Sequence, residues 1–184
     1  MILSPLESQR LLLREIIDSD ADAIMTIRGD YEVTRHNIGA AYTDIGQAQA
    51  LIAGIREDVA GGVPRWGITL KPEITLIGMV GFNAWHRTDR RASIGFDLAR
   101  AHWGKGIMHE ALRLVIAFGF EVMLLNRFEA DTSEHNAASQ GLLRKLGFQN
   151  EGLLREQFYE DGRFHDLMLW GLLRREWLAG QASH

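Results

Sequence analysis

The sequence predicts a single α/β (α+β) domain, residues 1–184 with a core at about 8–177, built on a mixed and mostly hairpin-built sheet. Three observations lead there. Apolar spacing switches between a period of two and a period near 3.6 along the chain. Helical stretches are interleaved with strand runs joined by short polar turns, without the regular alternation of a doubly wound nucleotide fold. No low-complexity run, internal repeat or Pro/Gly/Ser-rich linker divides the chain.

The elements follow in order. "RLLLREI" (10–16) reads as a strand ending at acidic residues. "DSDADAIMTIRGD" reads as a helix with Ser19 or Asp20 as N-cap and Gly29 as its stop. "TDIGQAQALIAGIREDVAGG" has Ile45, Ala48, Leu51, Ile52, Ile55 and Val59 at helical spacing, with a cap at Thr43 or Asp44 and a Gly61–Gly62 terminus. Strands are expected at 65–70, 74–85 and 91–98, the last two joined by the hairpin loop "HRTDR". From Lys105 the period becomes helical, with Ile107, Ala111, Leu114, Val115, Phe118 and Val122 on one face. "RFEADTS" reads as a strand, and "NAASQGLLRKLG" as a helix capped by Asn136 and closed by Gly147. A terminal hairpin, "FQNEGLLREQFYE" and "FHDLMLWGLL" about the turn "DGR", completes about seven strands and about four helices.

Composition narrows the function. Hydrophobic residues are 46% and charged residues 24%, ordinary for a globular protein able to bury its own core. There is no cysteine, which excludes disulfides, thiolate metal sites and cysteine nucleophiles. The histidines show no metal-ligand spacing, so no metal is expected. A net charge of -4 argues against direct nucleic-acid binding. No basic start leads an apolar signal core, and the most apolar window, 111–125, carries Arg113 and Glu121. The expectation is a cytoplasmic protein without a membrane segment.

Between 101 and 106 the chain reads "AHWGKG", at a strand-to-helix junction. Backbone N–H groups there lack intrahelical partners, the helix dipole adds positive charge, and glycine lets a bulky anion approach. The loop reads equally as a plain turn. It does not match G-x-x-x-x-G-K-[ST], because Lys105 precedes the second glycine. It does not match G-x-G-x-x-G either, because Ile107, Met108 and His109 follow Gly106.

"IGFDLARAHWGKGIMHEAL" and "EHNAASQGLLRKLGFQNEG" together resemble the acetyl-CoA signature of the GNAT N-acetyltransferases, in the order the family has them. "GLLREQFYEDGRFHDLMLWGLLRREW" resembles the RimJ/RimL-like branch, whose known members acetylate N-termini of ribosomal proteins. The resemblance runs from "RLLLREI" to Trp177 and implies a GNAT-type fold with a mostly antiparallel sheet. It implies that Ala101, His102, Trp103, Gly104, Lys105 and Gly106 stand where the family has its pyrophosphate loop Q/R-x-x-G-x-G/A, with Ala101 departing from the first position. His102 to Met108, through Ile107, would hold the pyrophosphate by backbone. Phe96, Asp97 and Leu98 would meet the pantetheine arm in the manner of strand addition. Asn136 aligns with a cofactor-contacting asparagine, and Ser139 with a serine that protonates the leaving thiolate in RimL-like members.

The implied reaction is attack of a neutral amine on the acetyl thioester, with acetyl-CoA as co-substrate. A backbone N–H near residues 96–98 would stabilise the oxyanion. An α-amine titrates near 8, so part of it is already neutral at pH 7. His86 is a candidate base, its imidazole titrating near 6.5, or a solvated hairpin-end residue. Asn136 and Ser139 also read as a helix cap and a solvent-facing serine. Arg144 or Lys145 could reach a 3′-phosphate or simply lie in solvent. Asp166 is read as structural, with Arg155 as its cross-strand partner. Tyr159 lies far from the Gly147–Phe148 pair where a tyrosine acid is usual. Acceptor contacts are expected from residues 35–44 and the terminal hairpin, with Tyr42 and Phe158 as candidates. The expected acceptor is the α-amine of a protein N-terminus. The alternatives are a free amine (amino acid, polyamine or antibiotic) or a non-catalytic acyl-CoA sensor. A homodimer is possible by resemblance.

Overall fold

A computed structural model describes residues 3–36, 39–160 and 162–181. Strands β1 (Leu6–Glu7) and β2 (Leu11–Arg14) lead into helices α1 (Ala21–Gly29), α2 (Tyr31–Thr34) and α3 (Ile45–Ala60). Strands β3 (Arg65–Leu70), β4 (Gly78–His86) and β5 (Arg91–Leu98) form a meander, followed by α4 (Ile107–Glu121). Then come β6 (Arg127–Ser133), α5 (Ala137–Lys145), the hairpin β7 (Gln149–Glu160) and β8 (Arg163–Leu173), and α6 (Arg174–Gln181). The eight strands make one sheet in the order β1-β2-β3-β4-β5-β6-β8-β7. Every neighbouring pair is antiparallel except β5–β6.

Elements beyond the expected count are short. β1 has two residues and α2 has four, too few for any periodicity to accumulate. Helix α2 is instead held by its cap, the Asp30 carboxylate accepting from Glu32 N–H at 2.9 Å. Helix α6 follows β8 with no intervening turn residue, and Glu176 accepts from Leu173 N–H at the junction.

Three boundaries differ from expectation. Strand β4 begins at Gly78, because residues 74–77 run as a loop in which Ile74 is exposed and its carbonyl accepts from Arg14. Helix α4 begins at Ile107, because Gly106 takes a left-handed conformation that L-residues in a helix do not share. Its buried stripe runs through Met108, Leu112, Ile116 and Phe120 as well as Ile107, Ala111 and Val115. Leu114 and Phe118 flank that stripe, and Val122 lies past the helix end and is 66% exposed.

The caps resolve to one residue each. Asp44 accepts from Gly46 N–H at 2.7 Å, while Gln47 Oε1 accepts from Thr43 and Asp44 N–H, closing a capping box. Asp20 precedes α1, but its carboxylate reaches back to Ile17 N–H and to Arg14.

Apolar residues are buried on both faces of the sheet. Helices α4, α5 and α6 pack over Trp66, Val80, Phe82, Ile94 and Phe128 on one face. Helices α1 and α3 pack over Met79 on the other. Edge-on contacts of Phe128 with Phe82 (5.4 Å) and with Phe120 (5.0 Å) tie α4 to β4 and β6; each is worth about 0.5–1.5 kcal/mol beyond burial.

Candidate active site

The two parallel strands pair for only three residues, Arg91 with Arg127, Ala92 with Phe128 and Ser93 with Glu129, and then diverge. The paired end is clamped by charge. Glu129 accepts from Arg91 Nη1 at 2.7 Å and from Arg127 Nε at 2.9 Å, and Arg127 reaches on to Glu151 of β7. Burial alone would raise the Glu129 carboxyl, but these two guanidiniums hold it below the usual carboxylate range.

Beyond the clamp, β5 and β6 form the walls of a cavity of about 250 Å³. Phe96 and Asp97 come from β5, Asp131 and Ser133 from β6, Asn136 and Ser139 from the start of α5, and Phe158 from β7. Ala99 N–H donates to Ile77 on the β4 side, and strand N–H groups alternate in direction. The N–H groups of Phe96 and Leu98 therefore face the gap that β6 has left. That is an unsatisfied strand edge of the kind an amide-bearing ligand can extend.

The glycine loop lies at the end of β5. Gly104 and Gly106 both have φ +72°, and a Cβ built on Gly104 meets nothing within 4 Å. A Cβ on Gly106 would meet only Arg10 Nη2 at 3.5 Å, an ordinary contact, so conformation and not close packing explains both glycines. The first bond of α4 runs from Glu110 N–H to Gly106 C=O, and no side chain caps the helix. The N–H groups of Ile107, Met108 and His109 are left without intrahelical acceptors at the positive end of the dipole. His102 and Trp103 contribute less by backbone, because their N–H groups donate to Ala99 and Arg100 in a short 3-10 turn. The Trp103 indole is pinned to Leu98 C=O at 2.8 Å, and Lys105 Nζ folds back to Ala101 C=O. Burial and Lys105 lower the His102 imidazole, so it stands neutral beside the loop. Arg10, immediately before β2, donates to Lys105 C=O at 3.2 Å and pairs with Glu110, which sets a guanidinium against the loop. These features fit a pyrophosphate: a concave row of N–H groups, two positive-φ glycines and an adjacent cation.

Three groups of the cavity, Arg28, Arg65 and Asp131, have no counterpart in the sequence reading, whereas His36 falls within the expected 35–44 acceptor segment. Arg28 of α1 pairs with Asp97 at 3.3 Å and stacks on Tyr42 at 5.8 Å. Burial lowers the Arg65 guanidinium, which donates to the Phe82 carbonyl and to Asn83. His36 is also lowered by burial, with Arg35 adding to the effect. Asp131 is solvent-exposed at the cavity wall, where partial desolvation raises its carboxyl, and among the described residues its side chain makes no hydrogen bond or ion pair. The alternation of "RFEADTS" puts Asp131 on the polar side of its strand, a signal present in the sequence.

The structure brings Phe96, Asp97, Asn136, Ser139 and Phe158 to one cavity. Asn136 Oδ1 accepts from Ser139 N–H at 3.0 Å, so the cap it forms fixes Ser139 at the cavity wall. The Asp97 side chain is committed to Arg28 and its backbone faces β4 opposite Met79, so Asp97 shapes the cavity while the N–H groups of its neighbours Phe96 and Leu98 face the β6 side. His86 stands opposite Arg91, at the clamped end, and does not line the cavity. Tyr42 acts behind Arg28 and is not in the lining. Arg144 lies over the Trp170 ring at 5.0 Å. Asp166 accepts from Glu156 N–H at 2.8 Å in place of the expected Arg155 partner. Within the expected acceptor segment Asn37 and Ile38, and in the hairpin turn Asp161, lie outside the described residues.

Residues 10–149 match the family model described as an acetyltransferase (GNAT) domain. The chain is 39% identical over 176 residues to the uncharacterized N-acetyltransferase p20 of Bacillus licheniformis, covering 95% of this chain and 99% of that one. It is 30% identical over 117 residues to the [ribosomal protein uS5]-alanine N-acetyltransferase of Escherichia coli, covering 63% of this chain and 60% of that one. The structure of Mycobacterium smegmatis RimJ in complex with CoA-disulfide superposes with a TM-score of 0.82 at 25% identity, covering 95% of this chain and 88% of that one.

Proposed function

Because this chain belongs to the GNAT acetyltransferase family and is an N-acetyltransferase, we propose that it acetylates the α-amine of a protein N-terminus. The observation that carries this reading is the divergence of β5 and β6 directly beside the unpaired N–H row of α4. One end suits a pyrophosphate, and the gap suits an extended amide arm.

Bound acetyl-CoA supplies an acetyl thioester, whose carbonyl carbon is the electrophile. The N–H groups of residues 104–109 hold the pyrophosphate, with Arg10 alongside. The N–H groups of Phe96 and Leu98 hold the pantetheine arm and, at its inner end, the oxygen on which negative charge develops. Asp131 accepts the proton of the attacking amine. Desolvation within the cavity raises its pKa, which strengthens it as a base. Ser139 Oγ gives a proton to the departing sulfur. One proton is accepted and one is donated, so the site returns to its starting state once the proton on Asp131 passes to Ser139, directly or through a water.

The test is thiol release from acetyl-CoA with N-terminal peptides of ribosomal proteins and with free amines. Turnover of peptides that is abolished by blocking the α-amine supports the reading. Turnover of free small amines alone would overturn the protein acceptor.

A further inference from the structure

Behind the catalytic cavity lies a second one, of about 150 Å³, which meets the first at His36, Ser133 and Phe158. Its wall is made by Tyr31, Arg35, His36, His135, Arg163 and His165, drawn from α2 and the residues after it, the β6–α5 loop and the β7–β8 hairpin. No residue of the glycine loop lines either cavity, so elements other than the donor loop build the second one. Among the described residues no carboxylate lines it. Glu32 and Glu134 pair with Arg35 at 3.2 Å and with His135 at 3.5 Å, but from outside the lining. Two guanidiniums, Arg35 and Arg163, are the charged groups of this lining, set among imidazoles and hydroxyls that can donate. Phe158 and His165 stack at 5.0 Å, giving the neck a flat wall against which an extended chain can lie. The first cavity differs, since two guanidiniums, Arg28 and Arg65, stand there with two carboxylates, Asp97 and Asp131.

We infer that the acceptor carries an anionic group beyond its reactive amine, and that the second cavity reads this group. An amine flanked by a carboxylate would place its nitrogen toward Asp131 and Ser139 and its acid against Arg35 and Arg163. A polycation would set its second charge against the same guanidiniums. The chemistry is shared by an N-terminal peptide with an acidic side chain near its start and by a free amino acid. The inference rests on the transferase reading above.

Three peptides that differ only at the second residue, Ser-Glu, Ser-Gln and Ser-Lys, are compared by thiol release, with alanine, alaninamide and spermidine as the small-molecule arm. The expected order in kcat/KM is Glu over Gln over Lys, with about tenfold or more between the extremes, the discrimination one partly desolvated charge contact supplies. Arg163→Glu, at an exposed hairpin position, reverses that order while coenzyme A affinity stays unchanged. Preference for alanine over alaninamide above all peptides would assign the acid to a free amino acid. Equal rates across the three peptides, or spermidine as the best acceptor, overturns the inference. The same peptides are titrated calorimetrically into the coenzyme A complex. If no thiol is released, binding in the order Glu, Gln, Lys upholds the inference and absence of discrimination overturns it. Failure of coenzyme A itself to bind would instead refute the assignment of the donor site.

Discussion

Replacing Gly106 by alanine isolates the contribution of loop conformation to anion binding. Gly106 has φ 72° and ψ 4°, and the added methyl would meet only Arg10 Nη2, at 3.5 Å, an ordinary contact. The perturbation is thus backbone strain without steric clash, about 1–2 kcal/mol for an L-residue in the left-handed region. The chain can relieve it by rotating residue 106, which re-aims the N–H groups of Lys105 to Ile107. If the competent loop becomes the minor form by that energy, its population falls to roughly a fifth to a thirtieth, and the apparent Kd rises by the inverse. The measurement is calorimetric titration of coenzyme A into wild type and Gly106→Ala, with about tenfold weaker binding expected. Acetylpantetheine, which lacks the pyrophosphate, should be used by both proteins with the same kcat/KM. A Kd within twofold of wild type in a folded variant would refute the role of the loop conformation. An equal loss with acetylpantetheine would refute the assignment of the loop to the pyrophosphate.

The same substitution elsewhere has other signs. Gly54→Ala, inside α3 with nothing within 4 Å of the new methyl, should raise stability by about 0.5–1 kcal/mol in thermal melts. Gly119→Ala, whose methyl would overlap the Phe128 ring, should lower it by about 1–3 kcal/mol. Asp131→Asn should reduce kcat at pH 7 by about 10²-fold with coenzyme A affinity intact, and the deficit should shrink near pH 9, where an α-amine is neutral unaided; a pH-independent deficit would refute the base role. Glu151 is held below its ordinary value of 4.5 by Arg127, and Glu129 by Arg127 and Arg91 against burial. A depressed carboxylate contributes stability above its unfolded pKa and loses it as pH falls through the folded one. The stability difference between wild type and Glu129→Gln, read from thermal melts, should therefore be full at pH 6 and shrink below about pH 4.5; for so exposed a network it amounts to about 0.5–1 kcal/mol.

What was legible in the sequence, and what was not, divides by how local the cause is. The α3 cap, the Gly106 break and the Asn136 cap each follow from a few adjacent residues, so "TDIGQ", "WGKG" and "HNAAS" announce them. The buried face of α4 is less local. Its sequence is apolar nearly all round, so the stripe that is buried depends on which side meets Phe82 and Phe128, and Val122 cannot be excluded by spacing alone. The acceptor side is the least local. Arg28, Arg65, Asp97 and Asp131 lie on four different elements and become one electrostatic unit only when β6 diverges from β5. Each reads alone as an ordinary surface charge. The donor site can be recognised from one stretch because an anion cradle is backbone geometry, which neighbouring glycines dictate. The acceptor site is side-chain chemistry gathered across the fold, and relatives with the same loop are free to gather different side chains there. A transferase of this architecture therefore changes acceptor by altering charges on α1–α2 and the β7–β8 hairpin, leaving the stretch from Gly104 to Met108 untouched.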